Sequence, residues 1–278
     1  MNAEIKELEK KAIQLRRRVF QLVYESKTGH TGSSLSCTDI LTALYYSIMA
    51  VDPEDPENDA RDRYIQSKGH AVEILWAILA DKGFIEEEEL KTFSAFNSRL
   101  IGHPNNQVAG VEMNTGSLGH GLAVATGIAL AAKMDEKKYQ TYTLLGDGEL
   151  AEGSVWEAAM AASNYKLDNL TAIIDHNGLQ ITGATTDVMN SDPLSDKWRA
   201  FGWHVIEVDG NNIEALIQAF NSRENIGQPK MIIANTIKGK GVSFAEGIAA
   251  WHHKVPSQEQ YEQALLEFDK RLEELEDE

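Results

Sequence analysis

The sequence is poor in cysteine, with Cys37 as the single thiol among 278 residues. One thiol excludes an internal disulfide and a zinc site built from several thiolates. We expect Cys37 to be a small buried packing residue. Residues 1–18 are highly charged and lack the apolar core of a signal peptide, and no run of about 18 apolar residues occurs. These absences predict a cytoplasmic protein that does not enter a membrane.

Basic residues are also scarce, since 26 lysines and arginines accompany 43 aspartates and glutamates and give a formal net charge of −17. This charge opposes a general affinity for nucleic acid or for an anionic membrane. Any phosphate binding must therefore come from a local cluster of residues. The hydrophobic content of 42% is sufficient for a substantial core.

The first half of the chain has mainly helical patterns. Apolar residues recur at helical spacing over residues 5–26, which predicts an N-terminal helix. A glycine-rich loop is predicted at 29–34, a buried helix at 39–49 and an exposed connection at 52–63. Small residues dominate 117–133, a pattern typical of a closely packed helix.

The second half alternates short apolar runs with helical stretches. Strands are predicted at residues 141–145, 170–175, 204–209 and 231–236, and helices at 152–165 and 213–220. This alternation predicts an α/β fold with a parallel β-sheet flanked by helices. Residues 258–278 are acidic with apolar side chains at helical spacing, which indicates a surface or partner-facing helix or a solvated tail. We find no repeat or linker and predict one domain over residues 1–278.

Four of the eight histidines directly follow glycine, whereas random placement would give fewer than one such pair. The four are His30, His70, His103 and His120. Glycine allows close backbone approach, and imidazole donates, accepts and transfers protons near neutral pH. We therefore predict a polar pocket lined by imidazoles. Zinc is disfavoured because no pair has the spacing that places two ligands on one helical face.

A second group of polar residues follows two predicted strands. Gly146, Asp147 and Gly148 end the strand at 141–145, and Asn177 lies just beyond the strand at 170–175. Parallel sheets bind ligands at the carboxyl ends of their strands. A carboxylate and an amide oxygen suit Mg²⁺, which completes its coordination with water and phosphate oxygens. The following helix can add its N-terminal amides to anion binding. This spacing predicts a magnesium and diphosphate site.

The stretch from Gly146 to Gly183 resembles the thiamine-diphosphate motif, and nearly the whole chain is similar to the N-terminal half of transketolase. The matching pieces, in the family's order, are KTGHTGSS, DRYIQSKGHA, IGHP, GVEMNTGSLGHG, the Gly146 motif, FGWHVIEVDGNN and NTIKGKGVSFAEGIAAWHHK. The resemblance implies the thiamine-diphosphate-binding fold, in its diphosphate-binding domain. It also implies thiamine diphosphate and Mg²⁺ as cofactors, with Ca²⁺ or Mn²⁺ as substitutes.

The resemblance further implies roles for individual residues. Asp147, Asn177 and the carbonyl of Leu179 would bind the metal. Gly148, His70, Lys238 and His252 would face the diphosphate, with Ser33 nearby, and the turn of Gly116, Ser117 and Leu118 would contact the aminopyrimidine. His30, His103 and His252 would lie near the reacting carbon and exchange protons with the sugar.

Some positions depart from the family pattern or have two interpretations. Gly178 replaces the second asparagine of the motif, and Thr31 stands where proline is frequent. His120 stands where glutamine is frequent and is interpreted as a packing or capping residue. Glu152 matches a glutamate at the family's subunit interface, with a solvated side chain as the alternative. The tryptophans Trp156, Trp198 and Trp203 are predicted to be core residues.

No part of the sequence resembles the glutamate and aromatic residue that transketolases use to bind the aminopyrimidine. We therefore expect a separate C-terminal subunit with the pyrimidine domain, in an α₂β₂ heterotetramer; a truncated chain is the alternative. The expected reaction transfers a two-carbon ketol unit from a ketose phosphate, of the xylulose 5-phosphate type, to an aldose phosphate. Alternatives are a deoxyxylulose-phosphate-type synthase, a transketolase for an unusual sugar, and a non-catalytic binding module.

Overall fold

The computed structural model describes residues 3–222 and 227–277, so residues 1–2, 223–226 and 278 of the predicted domain lie outside it. Seven strands are present in these ranges: β1 (Arg63–Gln66), β2 (Thr141–Gly146), β3 (Leu170–His176), β4 (Leu179–Gln180), β5 (Gly183–Ala184), β6 (His204–Asp209) and β7 (Lys230–Asn235). Five of them form a parallel sheet in the order β1-β2-β3-β7-β6, and β4 and β5 form an antiparallel pair. The predicted parallel α/β fold is confirmed.

Ten α-helices surround the sheet in the described residues. They are α1 (Ala3–Ser26), α2 (Thr31–Ser36), α3 (Thr38–Ala43), α4 (Val72–Lys82), α5 (Gly121–Met134), α6 (Gly153–Asn164), α7 (Thr185–Val188), α8 (Leu194–Ala200), α9 (Ile213–Asn221) and α10 (Gln258–Asp277). A π-helical turn, Leu44–Ile48, and 3₁₀ turns at Glu87–Thr92, Gly148–Ala151 and Ala249–Trp251 complete the helical elements. No helix in residues 3–222 and 227–277 has the length and apolar character required to cross a membrane.

Both faces of the sheet are buried. Successive side chains of a strand point to opposite faces, so neighbouring residues of one strand pack into different hydrophobic clusters. Leu144, Ile173 and Ile232 belong to one hydrophobic cluster, with α1, α3, α4 and α9. Their sequence neighbours Leu145, Ile174 and Ile233 belong to a second cluster, with α5, α6 and α8. The apolar runs therefore form central strands covered on both sides, as expected for a parallel sheet.

The two terminal helices pack against each other through aromatic rings. The ring of Phe20 in α1 lies 6.3 Å from the rings of both Tyr261 and Phe268 in α10, measured between centroids. Phe268 is buried. The predicted C-terminal helix is thus a packed element rather than a solvated tail, and its last predicted residue, Glu278, lies outside the described residues.

Several other expectations are confirmed by burial. Cys37 is fully buried, and Trp198 and Trp203 are core residues. Trp156 is partly buried and packs on Trp198 with 5.2 Å between ring centroids.

The predicted loop at residues 29–34 is wrong beyond His30, because α2 begins at Thr31. Its small polar residues are weak helix formers, so sequence alone favours a loop. Tertiary hydrogen bonds stabilise the helix instead, since Thr31 donates to the Lys254 carbonyl at 2.8 Å and Ser34 donates to Glu73 at 2.6 Å. The predicted helix at 117–133 likewise begins later, at Gly121, because Gly119 adopts a φ of 83° in the preceding turn.

Two elements of the first half were not predicted, β1 and α4. The strand β1 is four residues long and mixed in polarity. The helix α4 is buried along almost its whole length, so its apolar residues have no one-sided period. Both elements nevertheless support the site, because β1 pairs with β2 and precedes His70, and Glu73 of α4 accepts a hydrogen bond from the His30 amide.

Candidate active site

Four neighbouring strands of the sheet end at one edge, and a polar side chain follows each of them. Lys68 follows β1, Asp147 follows β2, Asn177 follows β3 and Lys238 follows β7. These positions are far apart in sequence, but parallel pairing brings their carboxyl ends together. Such an edge is where parallel α/β sheets bind ligands.

A cavity of about 200 Å³ lies at this edge. It contains most of the predicted site residues: His30, Ser33, His70, Gly116, Leu118, Asp147, Gly148, Asn177, Leu179, Lys238 and His252. Lys68, Gly146, Glu149, Gln180 and Ile181 also line it, and Gln180 belongs to β4. The cavity therefore combines the predicted metal, diphosphate and proton-transfer groups.

Two predicted site residues lie outside this lining. Ser117 is exposed in the turn between Gly116 and Leu118. His103 packs over Gly116, which has a φ of 139°, and a Cβ at position 116 would lie 2.6 Å from the His103 ring. Only glycine satisfies both the backbone angle and this close approach.

The predicted imidazole pocket is present and is centred on His30. The ring of His30 lies 5.2 Å from that of His70, 5.5 Å from His252 and 6.3 Å from His103, between centroids. His70 and His252 stack at 5.2 Å. His120, whose role the sequence leaves in doubt, lies apart from this cluster, and its Nδ1 pairs with the Leu118 carbonyl at 3.0 Å.

Burial keeps these imidazoles neutral. Burial, with the nearby charges of His253 and His103, lowers the pKa of His30 to about 4. Burial and the Lys238 charge lower the pKa of His252 to about 3, and burial holds the pKa of His70 well below its usual range. At neutral pH each of these rings can therefore both donate and accept a proton.

The low pKa of His30 predicts a pH-dependent stability for the ligand-free protein. Between pH 6.5, the ordinary histidine value, and about 4, the unfolded chain binds a proton at this position that the folded chain does not. His30 therefore contributes a loss of stability as the pH falls through this window. We expect the urea midpoint of a His30→Asn variant to fall less steeply than that of the wild type between about pH 7 and 4.5. Parallel curves would contradict this expectation.

Asp147, Asn177 and Leu179 meet at the loop that follows β3. The Asp147 carboxylate accepts hydrogen bonds from the amides of Gly148 at 2.8 Å and Gly178 at 2.6 Å. The Asn177 amide oxygen accepts from the Leu179 amide at 3.1 Å. The Leu179 carbonyl accepts from the Lys238 ammonium at 3.1 Å. The Asp147 carboxylate, in the turn after β2, thus lies beside the segment 177–179, which contributes two neutral oxygens.

This oxygen set is compatible with a bound cation. Asp147 is buried, and it forms no ion pair with lysine or arginine within residues 3–222 and 227–277. Burial and the nearby Asp175 charge raise its pKa, which shows that the ionised form lacks sufficient compensation. A divalent cation would supply this compensation and accept all three oxygens as hard ligands.

The floor of the cavity holds a buried cation, Lys238, that forms no ion pair within the described residues. Lys238 is 2% exposed, and burial together with the Lys68 charge lowers its pKa to about 8. The buried Nδ1 of His252 has no hydrogen-bond partner in the described chain, and His70 pairs with Ser33 at 3.1 Å. A buried cation without an ion-pair partner and a free imidazole nitrogen are suited to an anionic ligand such as a diphosphate.

A buried ion pair beneath the cavity was not predicted. Lys68 and Asp175 are both fully buried and bonded to each other, and Lys68 also donates to the Ser33 carbonyl at 3.2 Å. Ser36 and Thr236 donate to the Asp175 carboxylate. Burial opposes the charge on Lys68, but Asp175 outweighs this effect and raises its pKa. The pair joins β1, β3, α2 and the segment after β7. The one feature of the sequence that could have indicated it is an aspartate at the end of an apolar strand.

Two buried glutamates that were not predicted position the cavity walls. Glu149 accepts from the amides of Gly119 at 2.8 Å and Gly146 at 3.1 Å, which fixes the 116–119 turn against β2. Glu73 in α4 accepts from the His30 amide at 2.8 Å and from Ser34. Neither residue has a distinctive sequence pattern, because each also bonds to a group at least 30 residues away. Glu152, the predicted interface residue, is exposed.

The sequence matches the family described as transketolase, thiamine diphosphate binding domain, over residues 8–266. The chain belongs to the transketolase family. The predicted resemblance is therefore confirmed, and the cavity lies in the domain by which transketolases bind thiamine diphosphate.

Similar proteins include specialised transketolases. One subunit of the apulose-4-phosphate transketolase of Phocaeicola vulgatus is 51% identical over 276 residues, which cover 99% of this chain and 98% of that protein. The 6-deoxy-6-sulfo-D-fructose transketolase subunit SqwG of a Clostridium species is 42% identical, over 95% of this chain and 97% of that protein. A solved transketolase from Pichia stipitis superposes with a TM-score of 0.88 at 30% identity. The superposition covers 94% of this chain and 40% of that transketolase.

Proposed function

We propose that this chain is the cofactor-binding subunit of a two-chain transketolase, with residues 1–278 as a single diphosphate-binding domain. The observation that carries the proposal is the convergence, at one sheet edge, of the Asp147 oxygen set, the buried lysines and the His30 cluster. The reaction moves a two-carbon ketol unit from a ketose phosphate to an aldose phosphate. The relatives described above are transketolases, which favours ketol transfer over a synthase reaction or a non-catalytic role.

A separate C-terminal subunit completes the active site in this proposal. The two relatives above are named as subunits and have almost the length of this chain. The chain also spans only 40% of the solved Pichia stipitis transketolase. We infer that a second polypeptide supplies the aminopyrimidine-binding groups, in an α₂β₂ assembly with closed two-fold symmetry.

The donor sugar is the least defined part of the proposal. A ketose phosphate of the xylulose 5-phosphate type is the first candidate. The 51% identity to an apulose-4-phosphate transketolase subunit favours a specialised sugar as the second candidate. Both candidates require the same ketol transfer and differ in the hydroxyl pattern of the donor.

The cavity residues fit thiamine diphosphate with a divalent cation. Asp147, Asn177 and the Leu179 carbonyl would hold Mg²⁺, for which Ca²⁺ or Mn²⁺ can substitute. Lys238, His70, His252, Ser33 and the Gly148 amide would hold the diphosphate, and the turn of Gly116, Ser117 and Leu118 would contact the aminopyrimidine. When bound, the cofactor supplies a carbon nucleophile and stabilises the carbanion that ketol transfer requires.

The imidazoles of this chain would handle the protons. His30 is neutral at pH 7 and lines the cavity, so it can donate to a donor carbonyl oxygen and accept from a hydroxyl. The rings of His103 and His252 lie 6.3 and 5.5 Å from that of His30, between centroids, and would hold the adjacent hydroxyls. Glu73 fixes the backbone of His30 and so keeps its ring oriented.

The test is calorimetric titration of thiamine diphosphate with Mg²⁺ into the purified chain, alone and with the polypeptide encoded beside it, together with a ketol-transfer assay. We expect tight binding and transfer only in the mixture, because the aminopyrimidine site is shared. Absence of magnesium-dependent binding in both samples, with folded protein, would contradict the metal assignment. Undiminished transfer by a His30→Ala/His70→Ala complex would contradict the proton-transfer assignment.

A further inference from the structure

His253 is an additional imidazole beside the catalytic cluster, and the proposed function leaves it without a role. Its ring lies 4.6 Å from the ring of His30 between centroids, closer than His70, His103 or His252. The two planes meet at 73°, so one ring presents its edge to the other. Unlike His252, its sequence neighbour, His253 does not line the cofactor cavity, and it is exposed.

The backbone that carries His253 is fixed onto α2. Thr31 donates to the Lys254 carbonyl at 2.8 Å, and a Cβ at Gly32 would lie 2.8 Å from the Trp251 carbonyl. Trp251 is buried, with its ring 6.4 Å from that of Phe20. Because the backbone is held on both sides of His253, this residue is positioned beside His30 rather than carried on a free loop.

The rings around His30 fall into two groups. His70 and His252 stack on the cofactor side and line the cavity. His253 and His103 flank His30 outside the cavity lining. His253 is exposed, so its ring is accessible to a ligand from solvent.

We propose that His253 is a substrate-contacting residue that hydrogen-bonds a hydroxyl of the donor sugar beyond its two-carbon ketol unit. The inference rests on the proposed function and adds a specificity determinant to it. Its ring nitrogens have no hydrogen-bond partner within residues 3–222 and 227–277, so a donor and an acceptor are available to a ligand. A site built to bond a particular hydroxyl discriminates strongly against donors that lack it.

The experiment uses the complete two-chain complex with two kinds of donor. Ketose phosphates, including apulose 4-phosphate and xylulose 5-phosphate, carry hydroxyls beyond the ketol unit. Hydroxypyruvate carries the same two-carbon ketol unit, attached to a carboxylate and to no further hydroxyl-bearing carbon. The carboxylate leaves as CO₂, and an aldehyde acceptor takes up the two carbons and one proton. The variants are His253→Phe, which keeps an aromatic ring beside His30, and His253→Gln, which keeps a donor and an acceptor.

We expect His253→Phe to lower kcat/KM for the preferred ketose phosphate about 10-fold, because one hydrogen bond to the substrate is lost. Most of this change is expected in KM. We expect His253→Gln to restore part of this loss, and hydroxypyruvate kinetics and cofactor affinity to stay within about twofold. His120→Gln is the control, because His120 makes no ring contact with the cluster in the described residues.

An equal loss of kcat/KM for both kinds of donor would overturn the inference. Full activity of His253→Phe with a loss of activity in His253→Gln would also overturn it, because that result would indicate that only the packing of the ring matters. Unchanged kinetics in both variants would also overturn it. A wild-type complex that binds its cofactor but transfers no ketol unit from any donor would instead refute the proposed function.

Discussion

Replacement of Asp147 by asparagine is expected to lower the affinity for thiamine diphosphate and Mg²⁺ more than about 100-fold, since even outer-shell partners of metal ligands are typically worth 10–100-fold. The variant removes the one carboxylate of the proposed oxygen set, and an amide cannot supply the charge that a divalent cation requires. Ketol transfer by the complex is expected to be lost with it. Calorimetric titration of the cofactor, with and without Mg²⁺, measures the effect.

The ligand-free variant separates metal binding from folding. Burial already disfavours the ionised Asp147, so asparagine is expected to change the free energy of unfolding by no more than about 1–2 kcal/mol, the range for one altered hydrogen bond. Asp168→Asn is the matched control, because Asp168 lies just before β3, at the opposite edge of the sheet, and is paired with Lys133. Magnesium-dependent binding that survives in Asp147→Asn would refute the metal assignment.

Neutralisation of Asp175 is expected to have the largest effect on stability. Asp175→Asn leaves Lys68 charged and fully buried, and removal of one partner of a buried ion pair typically costs about 3–5 kcal/mol. The same carboxylate holds Ser36 and Thr236, so the loss would reach both α2 and the segment after β7. Urea unfolding of the ligand-free chain, followed by tryptophan fluorescence, measures the loss.

A double-mutant cycle tests whether charge pairing is the cause. Lys68→Met with Asp175→Asn removes both charges, and we expect it to be more stable than Asp175→Asn alone, with a coupling above about 1 kcal/mol. The control cycle uses Lys133 and Asp168, a pair with about a third of each side chain exposed, for which coupling below about 1 kcal/mol is expected. Additive effects at Lys68 and Asp175 would show that the cost comes from packing rather than from charge.

The sequence predicted the parallel sheet well because burial on both faces leaves a direct trace in its strands. Apolar runs such as residues 170–175 have few other structural solutions, and polar residues directly after them mark the ligand edge. The same reasoning failed for α4 and β1, since a fully buried helix has no polar face and a four-residue strand is too short for a pattern. It also failed for α2, whose helical state depends on contacts with Glu73 and Lys254.

The residues of the candidate site were likewise predicted only in part from the sequence. Gly146 to Gly148 and Asn177 were found from local spacing, and the glycine–histidine pairs indicated an imidazole pocket. The sequence did not indicate the roles of Glu149, Glu73 or the Lys68–Asp175 pair. Each of them bonds to a group at least 30 residues away, and Glu149 also accepts from the nearby Gly146. Such pairings depend on strand order, which local sequence does not specify.

The sequence alone determined the α/β class and the family and predicted most of the polar residues that line the cavity, because composition, apolar periodicity and short motifs are local properties of the chain. Only the tertiary structure decided which residues meet. The parallel order β1-β2-β3-β7 brings Lys68, Asp147, Asn177 and Lys238 to one edge, and the contact of α2 with residues 251–254 places His253 beside His30. The physical reason is that these contacts depend on burial and pairing between distant segments, which exist only once the sheet has formed.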